Sequence, residues 1–485
     1  MTQVLSVASE AYPLVKTGGL GDVVGALPGA LSGHGITVTT LMPGYPAVRA
    51  HIGDAPLVHH YSNLMGAEAR ILAASIGGFP LLVLDAPALF QRDGGPYGDR
   101  SGADWPDNWR RFAALGRAGA DLASGAIPNW RFDLLHAHDW HAGLAPAYLR
   151  YAPGPGPVAP SLITIHNIAF QGRFDISIFP FLGLPARAYT IEGVEYYGGV
   201  GFLKAGLASA QAITAVSPGY AHEIREPAFG MGLEGLIRTR GADVSGILNG
   251  IDPKIWNPQS DPALAARYDS HGLNMRRVNK RAIESGFGLA PGDGPLFTVI
   301  SRLSWQKGMD VLAEQLDTLV ALGGRLALLG TGERALEAKF RAAASRHPGR
   351  IAVALGYDEK LSHLLQGGAD AILIPSRFEP CGLTQLYGLA YGCVPVAART
   401  GGLGDTIIDA NEAALAQGVA TGILFDSVTA EGLTNALQRT IALYGRRDAW
   451  SRMQVQGMTA DFSWHQSGAH YADLYARLIS GPAPA

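Results

Sequence analysis

Lys16-Thr17-Gly18-Gly19-Leu20-Gly21-Asp22 follows an apolar run at Val4 to Ala8, and it returns almost unchanged as Arg399-Thr400-Gly401-Gly402-Leu403-Gly404-Asp405 after the run Cys393 to Ala398. Each copy leads into a segment of helical character. Strand, glycine loop and helix is the layout of a phosphate-binding turn, because glycines let backbone N–H groups approach an anion at a helix N-terminus. The repetition predicts a chain built from two halves of similar design. The glycine spacing fits neither Gly-x-x-x-x-Gly-Lys-Ser/Thr nor Gly-x-Gly-x-x-Gly, so each loop reads either as an anion cradle or as a plain tight turn. Only the first copy carries an ammonium, Lys16, which acts as a point charge on phosphate.

Outward from the two loops, short β-branched or Leu-rich runs recur. They lie at Thr37 to Leu41, Leu81 to Leu84, Leu134 to His136, Ser161 to Ile165, Ala212 to Val216, Phe297 to Ile300, Arg325 to Leu329, Ile351 to Leu355, Ala371 to Ile374 and Val394 to Ala397. Between them lie Ala-rich segments at helical period, among them Asn108 to Ala126, Val311 to Leu322 and Ala335 to Ser345. This alternation predicts an α/β chain of right-handed βαβ units, with parallel sheets covered on both faces. Turn signals at Asn249-Gly250-Ile251-Asp252-Pro253 and Asn257-Pro258 put a seam within Val244 to Pro258. The expected division is 1–245, 246–460 and a tail, 461–485, with the two Rossmann-like domains facing each other across a cleft. The apolar face of the tail, Phe462, Trp464, Tyr471, Leu474, Tyr475 and Leu478, reads as a helix that docks back on the first domain. Gly481 to Ala485 read as a frayed end.

Composition narrows the function classes. A chain of 485 residues suggests two or three domains. With 47% hydrophobic and only 16% charged residues, much of it should be buried. A formal net charge of −3 offers no electrostatic footprint for nucleic acid or an anionic membrane. No leader and no membrane-spanning run is visible, and two cysteines, Cys381 and Cys393, are too few for a disulfide framework or a structural zinc site. A cytoplasmic setting is expected.

Ligands of open α/β sheets bind beyond the carboxyl ends of the strands, so polar residues there carry most weight. His136-Ala137-His138-Asp139-Trp140-His141 ends one strand and Thr164-Ile165-His166-Asn167 the next. Zinc ligands, satisfied structural histidines and substrate contacts are all open readings of that cluster. Arg302 and Lys307, beyond the run Phe297 to Ile300, suit a diphosphate, with surface salt bridging as the plain alternative. Pro375 to Thr384 leads into a helix whose first N–H groups, at Leu383 and Thr384, point at an anion. Just ahead of them Glu379 suits sugar hydroxyls or a helix cap. A nucleophilic Cys381 lacks visible His and Asp partners. No Asp-x-Asp occurs, so a nucleotide diphosphate would be neutralised by Lys16, Arg302, Lys307 and helix dipoles.

Lys16 to Val23, His138-Asp139-Trp140-His141, Thr164-Ile165-His166-Asn167, Ser301-Arg302-Leu303 with Gln306-Lys307-Gly308, and Glu379-Pro380-Cys381-Gly382-Leu383 together resemble the bacterial glycogen synthase and plant starch synthase family. The resemblance runs from about Val4 to Tyr475. It implies a two-domain GT-B glycosyltransferase that moves glucose from ADP-glucose to the non-reducing 4-hydroxyl of an α-1,4-glucan, with retention, without a metal and without a cofactor. By the same resemblance, Lys16, Gly18 and Gly19 contact the donor diphosphate and sugar, and Arg302 and Lys307 neutralise the leaving ADP. His166 lies beside the glucosyl carbon, Asp139 and Asn249 hold glucose hydroxyls, and Glu379 binds the sugar with help from Cys381, Gly382, Leu383 and Thr384. Tyr357 stacks on the adenine, with core packing as its alternative, and Tyr97 is the acceptor candidate. The second glycine copy is expected to be structural. Rival readings are a GT-B enzyme using UDP-glucose or another acceptor, a non-catalytic glucan-binding or nucleotide-sensing module, and a pyridoxal-phosphate glucan phosphorylase, whose lysine motif finds no match here.

Overall fold

The computed structural model describes residues 1–481; of the expected frayed end only Gly481 is included, and the rest lies outside the described residues. The chain divides into two units, the first formed by Met1–Asn249 together with the segment from Trp464, the second by Gly250–Ser463. The first boundary thus falls at Asn249 rather than 245, because Val244–Gly246 pairs as a strand of the first sheet, and the tail begins at Trp464 rather than 461.

Twelve strands belong to the first unit: β1 (Thr2–Val7), β2 (Ile36–Pro43), β3 (Leu57–Leu64), β4 (Ala67–Ile76), β5 (Phe79–Asp85), β6 (Leu134–His138), β7 (Ser161–Ile165), β8 (Arg173–Phe174), β9 (Glu195–Tyr196), β10 (Gly199–Gly201), β11 (Ala212–Ala215) and β12 (Val244–Gly246). Nine form one sheet in the order β12-β11-β7-β6-β1-β2-β5-β4-β3, parallel except for the antiparallel ribbon of β3, β4 and β5, while β8, β10 and β9 make a small antiparallel sheet. One face of the main sheet is closed by the helices Gly19–Ser32 and Trp464–Ser480. Val23, Leu27 and Leu31 of the first and Tyr471, Leu474 and Tyr475 of the second pack in one apolar cluster with Val4, Val38, Leu134 and Leu162. The C-terminal helix is therefore part of the first unit's core.

The second unit holds β13 (Leu296–Ile300), β14 (Arg325–Gly330), β15 (Ile351–Leu355), β16 (Ala371–Ile374), β17 (Val394–Ala398) and β18 (Ile423–Phe425), all parallel, in the order β15-β14-β13-β16-β17-β18. Successive side chains of a strand face opposite sides. Leu326 and Leu328 accordingly join one buried cluster and Ala327 and Leu329 another, which is the signature of a sheet covered on both faces. The expected helix over Val311 to Leu322 is two short ones, Met309–Glu314 and Leu316–Ala321, separated at Gln315.

Both orders contain a reversal. From β1 the chain steps outward to β2 and later returns to the other side of β1 with β6; from β13 it steps to β14 and β15 and returns beside β13 with β16. Loops leaving the carboxyl ends of the strands at such a point diverge and leave a crevice for a ligand. The loops concerned are those after β1, β6, β13 and β16.

Candidate active site

In the first unit, β1 runs into Ser9 and Glu10. The Glu10 carboxylate is buried and accepts from the Thr17 amide, the Thr17 hydroxyl (2.6 Å) and the Tyr97 hydroxyl. It shapes the loop that presents Lys16, Gly18 and Gly19. Lys16 pairs with Asp22 at 2.8 Å, and its ammonium lies 5.6 Å from the Tyr12 ring centre. Gly18 and Gly19 are exposed at the start of the helix Gly19–Ser32, and a Cβ built on either meets nothing within 4 Å. The hexapeptide at Thr400 is different: Gly401 has φ +43°, and a Cβ on Gly402 would lie 2.2 Å from the Cys381 carbonyl oxygen. One copy leaves open space above its glycines, whereas the other packs backbone against the turn at Cys381.

Across the switch point, β6 delivers His138 and Asp139. Asp139 adopts φ +55°, a left-handed conformation costly for a non-glycine residue. In that conformation its Oδ1 accepts from the His166 amide (2.7 Å) and the Asn167 amide (3.4 Å). Burial pushes the Asp139 carboxyl up to about 8, opposed by those two amide bonds. The His166 ring lies 3.0 Å from His138 Nδ1, and burial lowers His166 to about 3. His136 bonds Tyr475 of the C-terminal helix (2.7 Å) and Thr164 (2.6 Å). Of the readings open for this cluster, zinc finds no support, since no group of three or more His, Cys, Asp or Glu side chains is arranged to hold an ion among the described residues. His136 is a satisfied structural histidine. Asn249, three residues beyond β12, is 5% exposed, and its Oδ1 has no hydrogen-bond partner among the described residues. Tyr97 does not project as a free loop tyrosine. Its hydroxyl is turned to Glu10 and Ser9 (2.8 Å), and its ring stacks on His141 at 4.5 Å.

In the second unit, the loops after β13 and β16 are knitted together. The Arg377 amide donates to the Gln306 carbonyl (2.9 Å), and Gly308, at φ +67°, sits so close to Pro375 that a Cβ would meet its carbonyl oxygen at 1.9 Å. Lys307 Nζ lies 2.5 Å from Glu379 Oε2, which also accepts from Ser376 Oγ at 3.0 Å. Arg302 is exposed and forms no ion pair among the described residues. The two cations seen in the sequence thus differ: one is held by a carboxylate and the other is unengaged. Gly382 at φ +75° turns the chain into the helix Thr384–Tyr391, where the first-turn amides have no intrahelical acceptor. Cys381 is buried, and the buried Gln385 braces the turn by donating to the Cys381 and Gly382 carbonyls. Tyr357 follows the carboxyl end of β15 and is 72% exposed, so core packing is not its role. Glu10 and Gln385 went unnoticed in the sequence; only the position of Glu10, three residues past a strand end, offered a signal.

Residues 3–239 match the family described as starch synthase catalytic domain, and residues 281–454 that described as glycosyl transferases group 1. The curated glycogen synthases of Novosphingobium aromaticivorans and Rhizobium rhizogenes are 62% and 58% identical to the chain, each alignment covering 99% of both proteins. A solved structure titled as the catalytic domain of Starch Synthase IV from Arabidopsis thaliana bound to ADP and acarbose superposes with a TM-score of 0.89 at 31% identity, over 99% of this chain and 100% of that one. Sucrose-phosphate synthase from Thermosynechococcus elongatus, at 17% identity and a TM-score of 0.59, shares the fold. Two parallel-sheet units with polar residues gathered at each switch point define an enzyme of the GT-B glycosyltransferase class. Within that class, the chain belongs to the bacterial glycogen synthase and plant starch synthase family.

Proposed function

We propose that this glycosyltransferase moves glucose from ADP-glucose to the non-reducing 4-hydroxyl of an α-1,4-glucan such as glycogen, with retention, in the cytoplasm. The observation that carries the reading is the second unit's switch point: an unengaged Arg302, the Lys307–Glu379 pair and the opening amides of the helix Thr384–Tyr391 supply positive charge and donors where a diphosphate would sit. The relative whose solved structure holds ADP supports adenine as the base, and exposed Tyr357 is our stacking platform for it. Cys381, Gly382, Leu383 and Thr384 form the turn that would face the diphosphate and sugar. In the first unit, Lys16, Gly18 and Gly19 are assigned as donor contacts, to the diphosphate and sugar. His166, Asp139 and Asn249 are assigned to the glucosyl group.

Retention through a covalent glycosyl-enzyme would require a free carboxylate beside the anomeric carbon. Glu379 is held by Lys307 and Ser376, and Asp139 is held by two amides with burial opposing its ionisation. A same-face transfer fits better: the departing phosphate oxygen takes the proton of the attacking hydroxyl, and Arg302 and Lys307 offset the charge that develops on the leaving diphosphate. Tyr97, bound to Glu10, is assigned to shaping the glycine loop and the acceptor side rather than to donating its hydroxyl to glucan.

The test is glucose incorporation into glycogen by the purified chain with ADP-glucose or UDP-glucose, each with and without EDTA. EDTA-insensitive transfer from ADP-glucose is expected. Preference for UDP-glucose would overturn the donor, and no transfer from either would overturn the acceptor or the activity.

A further inference from the structure

His166 is gripped at both ends by one dipeptide. Asp139 holds its amide, at the expense of a left-handed backbone, and His138 holds its ring. Behind His138 stands Ser6 of β1, whose Oγ lies 3.1 Å from His138 Nε2. Ser6, His138 and His166 are all buried, and Ser6 Oγ makes no other hydrogen bond among the described residues. A hydroxyl in a dry interior has one hydrogen to place, and leaving a donor unplaced is costlier than leaving a lone pair unused. Either direction of the Ser6–His138–His166 chain leaves one donor without a partner among the described residues, the Ser6 hydroxyl in one case and a His166 N–H in the other. Ser6 is 1% exposed and His166, at 9%, is the open end of the chain, so the loose donor belongs on His166, Ser6 donates and His138 Nε2 accepts.

The rest follows from counting protons. Burial lowers the pKa of both rings, so each is a neutral imidazole with one N–H. With its Nε2 accepting, His138 carries its proton on Nδ1 and donates it to His166 Nε2 at 3.0 Å. His166 must then carry its own proton on Nδ1, a nitrogen with no partner among the described residues. His136, whose ring centre lies 4.0 Å from that of His138 with the planes tilted, does not compete, because both its nitrogens are taken by Tyr475 and Thr164.

We infer that Ser6 and His138 are positioning residues that fix His166 as its Nδ1–H tautomer, so that the ring offers a donor, not a lone pair, to an oxygen of the transferred sugar. The tautomer concerns the protein alone; its use on a sugar rests on the function proposed above. Without the Ser6 hydroxyl nothing sets the direction of the two imidazoles, and the opposite tautomer, which can only accept at Nδ1, becomes accessible.

The experiment is ¹⁵N-histidine NMR of the full chain near pH 7.5, reading which nitrogen of His138 and His166 is protonated, with His166→Ala and His138→Gln to assign the signals. The expected result is Nδ1–H on both rings. Ser6→Ala should shift both toward Nε2–H and lower kcat by roughly tenfold to a hundredfold, the range for losing a partner that orients a histidine, with KM little changed. Ser6→Thr should restore both. Nε2–H on His166 in the unaltered chain, or a Ser6→Ala protein with unchanged tautomers and kcat, would overturn the inference. The unaltered protein decides the tautomer even if Ser6→Ala fails to fold. A chain with the expected tautomers but no glucosyl transfer would overturn the function and leave the relay standing.

Discussion

Lys307 combines two tasks that substitution can separate. Its ammonium neutralises the Glu379 carboxylate at 2.5 Å, and both side chains are largely buried, at 16% and 11% exposure. In our reading it also stabilises charge on the leaving diphosphate. Lys307→Ala should lower turnover by about 10² to 10³, as when one preorganised charge stabiliser is removed. It should also destabilise the second unit by about 1–3 kcal/mol, because Glu379 is left with only Ser376. Adding Glu379→Gln removes the stranded charge, so the double variant should regain most of the stability and none of the turnover. Steady-state kinetics and urea titration of the three proteins check both halves. Turnover of Lys307→Ala within tenfold of the parent would remove Lys307 from the transition state and leave it a structural counter-ion.

At the scale of elements, the two glycine loops make the clearest comparison, because the same hexapeptide sits in two surroundings. Gly18 and Gly19 have open space where a side chain would go, so Gly18→Ala should leave the melting temperature nearly unchanged and raise KM for the donor. Gly402→Ala drives a Cβ into the Cys381 carbonyl and should destabilise by about 1–3 kcal/mol or more, displacing the turn next to Glu379. Thermal melts with donor titrations of both variants check this; equal responses would contradict the division of roles. The strand–loop–helix character of both loops was legible in the sequence, since it depends on local glycine and apolar patterning. The difference between them was not, because it lies in what packs above each loop. Central parallel strands such as Ser161–Ile165 and Ala371–Ile374 were readable to the residue, for a strand buried on both faces is a continuous apolar run. The ribbon strand Leu57–Leu64, with His59, His60, Ser62 and Asn63 interleaved, has no such run and escaped notice. So did the strands of two or three residues, β8, β9, β10, β12 and β18. Glu10 escaped for another reason: an acid in a turn gives no sign that three donors from Thr17 and Tyr97 converge on it.

Across the whole molecule, buried titratable groups are unevenly shared, and that sets where acid should act first. His136, His138, His141 and His166 are all in the first unit, and burial lowers each of them, His136 and His166 to about 3. A histidine that stays neutral when folded but takes a proton near pH 6.5 when unfolded gives the unfolded state the larger proton uptake, so stability falls as pH drops from about 6.5 toward 3. Asp139 acts in the opposite sense. Its folded value of about 8 makes the folded state the better proton binder, so its contribution is full below about 4 and is lost as pH rises through 8. Between pH 4 and 6.5 four histidines oppose one aspartate, and the net change is toward instability on acidification, at about 1.4 kcal/mol per pH unit for each uncompensated proton. Above 6.5 the histidines are silent and Asp139 alone tilts stability downward, while Lys204, lowered to about 8, changes its contribution mainly above that point. The first unit should therefore be most stable near neutrality. Hydrogen exchange at pH 5 should show β1, β6 and β7 losing protection before β13, β14 and β16, and Asp139→Asn should flatten the decline between pH 6.5 and 8 while leaving the acid limb in place. Simultaneous loss of protection in both units at pH 5 would show that these histidines do not govern acid unfolding.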